Sequence, residues 1–100
     1  MASLDNKAIV VTGSGRGIGA GIAKLAAREG ASVVVTDIDR PEAEKVAAEI
    51  VAAGGTAVAH VADLSNWTGA RTVIERCLDT YGKIDGLVNN AAIFRMARVD

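Results

Sequence analysis

The sequence has few of the residues that mark several common classes of protein. It contains one cysteine, one proline, one histidine and three aromatic residues in 100 positions. Because one cysteine cannot form an internal disulfide, a disulfide-stabilised secreted domain is excluded and a reducing, cytoplasmic compartment is expected. No second candidate ligand is patterned around His60, so we interpret it as a packed or hydrogen-bonded strand residue and expect no metal.

The net charge is small, and long apolar runs are absent from the sequence. The formal net charge is −1, which gives no support for nucleic-acid binding, since such domains usually carry a basic face. No apolar stretch reaches the length of a secretory signal or a membrane span. We therefore expect neither a nucleic acid nor a membrane as partner.

Hydrophobic residues make up half of the chain and follow two alternating periods. Short apolar or β-branched runs predict strands at residues 7–12, 32–37, 56–62 and 84–90, and helical spacing predicts helices at 17–29, 39–53 and 65–81. Parallel strands joined by right-handed helical crossovers give an α/β fold with a doubly wound sheet. The predicted strand order is 3-2-1-4, in one domain that comprises residues 1–100.

The same spacing predicts which side chains form the core. It turns one apolar face of each helix inward, namely Ile18, Ile22, Leu25 and Ala26 in the first, Ala43, Val46, Ala47, Ile50 and Val51 in the second, and Ala70, Val73, Ile74, Cys77 and Leu78 in the third. We interpret Cys77 as a small buried hydrophobic residue, and we expect Trp67 to pack against the end of a helix.

One glycine-rich turn organises the rest of the chain. Gly13-Ser14-Gly15-Arg16-Gly17-Ile18-Gly19 connects the first strand directly to the first helix. Unpaired N–H groups and the helix dipole at such a junction favour a phosphate, so we interpret the turn as a dinucleotide pyrophosphate site. The alternative is that the glycines only permit a tight turn.

Asp37 ends the second strand, 37 − 19 = 18 residues after the last glycine of the turn. An acid at this place can accept hydrogen bonds from the hydroxyls of an adenosine ribose, and it would oppose a 2′-phosphate. This favours NAD over NADP, although Arg40 and Arg16 lie near enough to weaken the preference. We include the adjacent Ile38 in the candidate site; the alternative is that Asp37 is only a turn residue.

Two further strand ends carry polar residues. Asp63 follows the third strand and Asn90 ends the fourth. Because the carboxyl ends of parallel strands meet in one crevice, these residues are expected beside the glycine turn and Asp37.

Three motifs together resemble the classical short-chain dehydrogenases/reductases. They are Thr12-Gly13-Ser14-Gly15-Arg16-Gly17-Ile18-Gly19, Asp63-Leu64 and Asn89-Asn90-Ala91-Ala92. The resemblance implies a Rossmann fold that binds NAD(H) or NADP(H), and hydride transfer between the nicotinamide and an alcohol or carbonyl substrate. It also implies roles for single residues: the backbone of the turn with Ile18 meets the pyrophosphate and ribose, Asp63 and Leu64 meet the adenine, and Asn90 and Ala91 lie along the ribose.

The chain departs from the family pattern in two places. Ala92 replaces the glycine of the fourth-strand motif, and Lys83 follows Tyr81 by two positions where the catalytic Tyr-x-x-x-Lys pair needs four. The family's catalytic Ser, Tyr, Lys and Asn lie beyond the fourth strand, so we assign no catalytic residue here. The resemblance implies that residues 1–100 are the cofactor-binding half of a longer, homo-oligomeric enzyme and are inactive alone. The alternative is a dinucleotide-binding module without chemistry.

Overall fold

The computed structural model describes residues 3–15 and 17–90. Strands and helices alternate in the order β1 (Ala8–Thr12), α1 (Gly17–Arg28), β2 (Ser32–Asp37), α2 (Arg40–Ala52), β3 (Thr56–Val61), α3 (Trp67–Tyr81) and β4 (Gly86–Asn89).

The four strands form one parallel sheet in the order β3-β2-β1-β4. At its carboxyl-end edge, Thr12 of β1 lies opposite Thr36 of β2 and Asn89 of β4, while His60 of β3 lies opposite Thr36. Each crossover contains a helix, so the predicted α/β class and strand order are both confirmed.

Local capping chemistry determines where the helices begin and end. The Asp39 carboxylate accepts the Glu42 N–H at the start of α2, and the Asn66 side chain accepts the Gly69 N–H at 2.7 Å at the start of α3. Helix α3 therefore begins at Trp67, two residues after the predicted start. It ends at Gly82, which has a left-handed backbone with φ 79°.

The core consists of two layers, one on each face of the sheet. Valines of β1 and β2 pack on one face against the alanines of α1 and the apolar side of α2. On the other face Val10 and Val34 pack against Val73 and Cys77 of α3. Cys77 is fully buried, as the sequence predicted.

The prediction of the inward faces is wrong at several large residues. Ile18 and Leu25 are 77% and 56% exposed, and Val51, Ile74 and Leu78 are exposed as well. Ala26 is buried as predicted, and the rest of the buried face of α1 consists of small residues as well, Gly19, Ala20, Ala23 and Ala27. Since these small side chains allow the helix to lie close to the sheet, the bulkier apolar residues of α1 are left outside.

Trp67 also differs from the prediction. Its side chain is 86% exposed at the first position of α3, so it does not pack against a helix end. Among residues 3–15 and 17–90, no helix combines the length and the apolar character needed to cross a membrane.

Candidate functional site

The glycine turn leaves β1 and enters α1 at very close range. A Cβ added to Gly19 would lie 2.1 Å from the carbonyl oxygen of Gly13, so only glycine allows the helix to begin at this place. Gly17 has φ +59°, and a Cβ there would meet no atom within 4 Å. The turn is therefore packed against the fold at Gly19 and open to the outside at Gly17.

The start of α1 provides hydrogen-bond donors on this open side. The first N–H groups of any helix have no acceptor within the helix, and here they belong to Gly17, Ile18 and Gly19. The exposed side chain of Ile18 lies at the same helix end. Together with the helix dipole, these donors can bind an anion.

Ser14 and Gly15 are directed toward the interior of the fold. The Ser14 side chain is fully buried; its Oγ donates to the Val11 carbonyl at 2.5 Å and accepts the Thr36 N–H at 2.8 Å. The Ser14 N–H donates to the Thr36 carbonyl, and the Gly15 N–H donates to Asp37 Oδ2 at 2.9 Å. These two residues hold the turn on β2.

A cleft of about 310 Å³ lies at the carboxyl ends of the strands. It brings together the candidate residues Gly13, Asp37, Ile38, Asp63 and Leu64, which come from three different strand ends. The remaining wall is formed by other strand-end residues and by α3, namely Thr12, Ala62, Ser65, Ala70, Val73, Ile74, Leu87 and Asn89. Gly13, Asp37 and Asp63 thus meet at one cleft as expected, whereas Asn90 is not among the residues that line it.

The cleft combines carboxylates with apolar surface. Ile38 is 67% exposed at its rim, and the Asp63 Oδ1 accepts the Ser65 N–H at 2.9 Å. Apolar walls with a few oriented polar groups are typical of sites for small organic ligands. A flat base and a sugar with two hydroxyls fit this combination.

The end of β4 is joined to the glycine turn by side-chain amides. The Thr12 hydroxyl donates to Asn89 Oδ1 at 3.1 Å, and Asn90 Nδ2 donates to the Gly13 carbonyl at 3.4 Å. This contact between Thr12 and Asn89 was not predicted from the sequence. Their opposite positions in β1 and β4 were a usable signal, because directly paired polar residues on one sheet face can hydrogen-bond.

Tyr81 and His60 serve the fold. The Tyr81 hydroxyl donates to the Val33 carbonyl at 3.0 Å, and burial raises the pKa of this phenol. His60 Nε2 lies 3.1 Å from the Thr72 hydroxyl, as expected for a hydrogen-bonded strand residue. Burial, with the nearby Arg76 charge, lowers the pKa of His60. Within the described ranges, no group of three or more His, Cys, Asp or Glu residues could hold a metal ion.

Three residues named from the sequence lie outside the described ranges. They are Arg16 in the turn, and Ala91 and Ala92 after β4.

Comparison with known proteins gives matches along nearly the whole chain. Residues 7–100 match the short chain dehydrogenase family. An uncharacterized oxidoreductase of Methylorubrum extorquens is 42% identical over 101 residues, which cover 100% of this chain and 41% of that protein. A sorbitol dehydrogenase of Cereibacter sphaeroides is 42% identical over 96 residues, which cover 96% of this chain and 36% of that protein.

A solved structure is similar as well. The 7α-hydroxysteroid dehydrogenase in complex with NADH and 7-oxo glycochenodeoxycholic acid has a TM-score of 0.84 and 41% sequence identity. The match covers 86% of this chain and 34% of that one. The chain thus spans well under half the length of the proteins that it resembles.

Proposed function

The chain belongs to the short-chain dehydrogenase family, and from this we propose that it is the dinucleotide-binding part of an NAD-dependent oxidoreductase. Its substrate class would be an alcohol or the corresponding carbonyl compound. Relatives named as dehydrogenases of sorbitol, cyclohexanol and galactitol support an alcohol substrate without selecting one.

The observation that carries this proposal is the single cleft at the carboxyl edge of the sheet. Gly13 at the start of the glycine turn, the carboxylate that ends β2 and the residues that follow β3 lie around it, and the turn leads from Gly13 to the start of α1. A dinucleotide has a matching series of groups: a diphosphate, a ribose with two hydroxyls, and a base. The cofactor therefore fits the residues that are present.

Each part of the chain would bind one part of the cofactor. The N–H groups of Gly17, Ile18 and Gly19 would bind the diphosphate, and the Asp37 carboxylate would accept the hydroxyls of the adenosine ribose. Asp63, Leu64 and Ile38 would surround the adenine, and Asn90 with Ala91 would lie along the ribose. When bound, the nicotinamide supplies the hydride-transfer chemistry.

Proton transfer would require residues outside this chain. The only tyrosine, Tyr81, donates its hydroxyl to a backbone carbonyl inside the fold, and a Tyr-x-x-x-Lys sequence does not occur in residues 1–100. Ser14 is buried and hydrogen-bonded to β1 and β2. We therefore expect the 100-residue chain to bind the cofactor without turning over an alcohol.

Calorimetric titration of the intact protein with NAD, NADP and ADP-ribose tests the proposal. A 2′-phosphate would lie against the Asp37 carboxylate and would replace a hydroxyl that donates to it. Loss of one hydrogen bond to a charged group is worth about 1.5–3 kcal/mol, so we expect NAD to bind roughly 10- to 100-fold more tightly than NADP.

Two results would contradict the proposal in different ways. Equal affinity for NAD and NADP would remove the assigned preference but leave the dinucleotide site. No binding of NAD, NADP or ADP-ribose would remove the dinucleotide site itself.

A further inference from the structure

Both oxygens of the Asp37 carboxylate already accept backbone N–H groups. Oδ2 accepts the Gly15 N–H at 2.9 Å, and Oδ1 accepts the Asp39 N–H at 3.1 Å. The first bond joins the end of β2 to the middle of the glycine turn, 22 residues earlier in the chain. The residue assigned to the ribose is therefore also a structural part of the turn.

Close packing accompanies this hydrogen bond. Gly15 is buried, and a Cβ added to it would lie 2.8 Å from Asp37 Oδ2, 3.1 Å from Asp37 Cβ and 3.0 Å from Glu42 Cβ. No side chain fits at Gly15 unless the Asp37 carboxylate moves. The turn and the carboxylate thus determine each other's position.

Ser14 holds the preceding residue of the turn to the same strand. Its N–H donates to the Thr36 carbonyl at 2.9 Å, and its Oγ accepts the Thr36 N–H at 2.8 Å. Because Ser14 and Gly15 are both bonded to the last residues of β2, the direction in which the turn enters α1 depends on β2. The donors at Gly17, Ile18 and Gly19 begin two residues after Gly15.

We propose that Asp37 is also a positioning residue for diphosphate binding, acting through Gly15 on the N–H groups at the start of α1. This inference rests on the dinucleotide function proposed above. A carboxylate oxygen has two lone-pair directions, so Oδ2 can accept the Gly15 N–H and a ribose hydroxyl together. The bond to Gly15 is charge-assisted and so belongs to the stronger class of hydrogen bonds.

The two roles of Asp37 predict different ligand dependences. A residue that only binds the ribose affects ligands that carry the ribose hydroxyls. A residue that positions the turn also affects ligands that lack them. ADP and 2′,3′-dideoxy-ADP have the same base and diphosphate and differ only in these hydroxyls, so they separate the roles.

The experiment measures the affinities of both nucleotides by calorimetry in the intact protein and in two variants. Asp37→Ala removes the acceptor of the Gly15 N–H, whereas Asp37→Asn removes the same charge and keeps one oxygen that can accept it. Loss of a carboxylate by itself raises the affinity of a site for anions. Because both variants lack the Asp37 charge, this effect is equal in the two and does not contribute to the difference between them. We expect Asp37→Ala to bind dideoxy-ADP about 10-fold more weakly than Asp37→Asn.

Equal affinity of the two variants for dideoxy-ADP would overturn the inference and leave Asp37 as a ribose ligand only. If the wild-type protein bound neither ADP nor NAD, the proposed function would fail first. Gly15→Ala is a second variant in case Asp37→Ala does not fold, because its methyl group displaces a carboxylate that is still present. We expect weaker binding of dideoxy-ADP there too, and unchanged binding would contradict the inference.

Discussion

At the scale of single residues, some polar side chains border the cleft, and others have hydrogen bonds within the fold and do not border it. Asp63 and Asp37 border the cleft, whereas Ser14, Tyr81 and His60 are bonded within the fold. Residue type alone does not distinguish these groups. Serine, tyrosine and histidine are common catalytic residues, and here each has a backbone or hydroxyl partner inside the structure.

His60 makes stability depend on pH near neutrality. Burial and the Arg76 charge lower the pKa of His60 in the folded state below its ordinary value of 6.5. Between the folded-state pKa and pH 6.5, the unfolded state therefore binds more protons than the folded state. The contribution of His60 to stability is therefore complete above pH 6.5, and it is lost as the pH falls from 6.5 to the folded-state pKa. We expect His60→Gln to remove this part of the pH dependence, as measured by urea unfolding from pH 7.5 to pH 5.

The same slope in His60→Gln and in the wild-type protein would show that other groups cause the pH dependence. Carboxylates with lowered pKa, such as Asp85 beside the Ala8 N–H, act at lower pH. They stabilise the fold above about pH 4, and this contribution is lost as the pH falls further.

At the scale of elements, the sequence patterns correctly predicted the four strands and three helices and their order along the chain. Helix ends were predictable because they depend on residues close in the sequence. The helices end near Gly30, Gly54 and Gly82, and α2 begins after its N-cap residue Asp39. Which side of a helix is buried depends on how close the helix lies to the sheet. Ile18 and Leu25 were wrongly predicted to be buried because periodicity favours large apolar residues, whereas close contact requires small ones.

Helix α1 offers a matched pair of glycine substitutions. Gly19→Ala would place a methyl group 2.1 Å from the Gly13 carbonyl, a contact between backbone atoms that no rotamer relieves. We expect it to destabilise the protein by about 2–4 kcal/mol, within the range of severe packing defects, and to abolish binding of ADP-ribose.

Gly21→Ala is the control, since a Cβ there meets nothing within 4 Å. Better helix propensity should stabilise the protein by up to about 1 kcal/mol, with ADP-ribose affinity unchanged. Chemical unfolding and calorimetry measure both effects. Similar losses of stability and of ADP-ribose affinity in the two variants would mean that α1 requires glycine for flexibility, and not for the close approach of Gly19 to the Gly13 carbonyl.

At the scale of the whole molecule, the described sheet has an uncovered apolar edge. Strand β4 pairs only with β1 among the described residues, and Leu87 of β4 is 51% exposed with Ile74 and Leu78 of α3 exposed nearby. Exposed strand edges with apolar side chains favour association.

We predict that the 100-residue chain expressed alone self-associates through this edge. Sedimentation velocity should show concentration-dependent growth, which Leu87→Lys should reduce. Val51→Lys is the control, because Val51 is similarly exposed (55%) but lies on α2, on the other face of the sheet. A wild-type chain that stays monomeric and unfolds in one reversible transition would contradict the prediction.

The strand order has a consequence for synthesis on the ribosome. Strand β1 leaves first, yet one of its two edges pairs with β4, whose partner positions lie 77 residues later in the chain. Until β4 and the following Asn90 emerge, the Asn90 amide that donates to the Gly13 carbonyl is missing and one wall of the cleft does not exist. A nascent chain therefore gains this cleft late, so a ligand of the cleft can stabilise the folded chain but cannot guide the first steps of its folding.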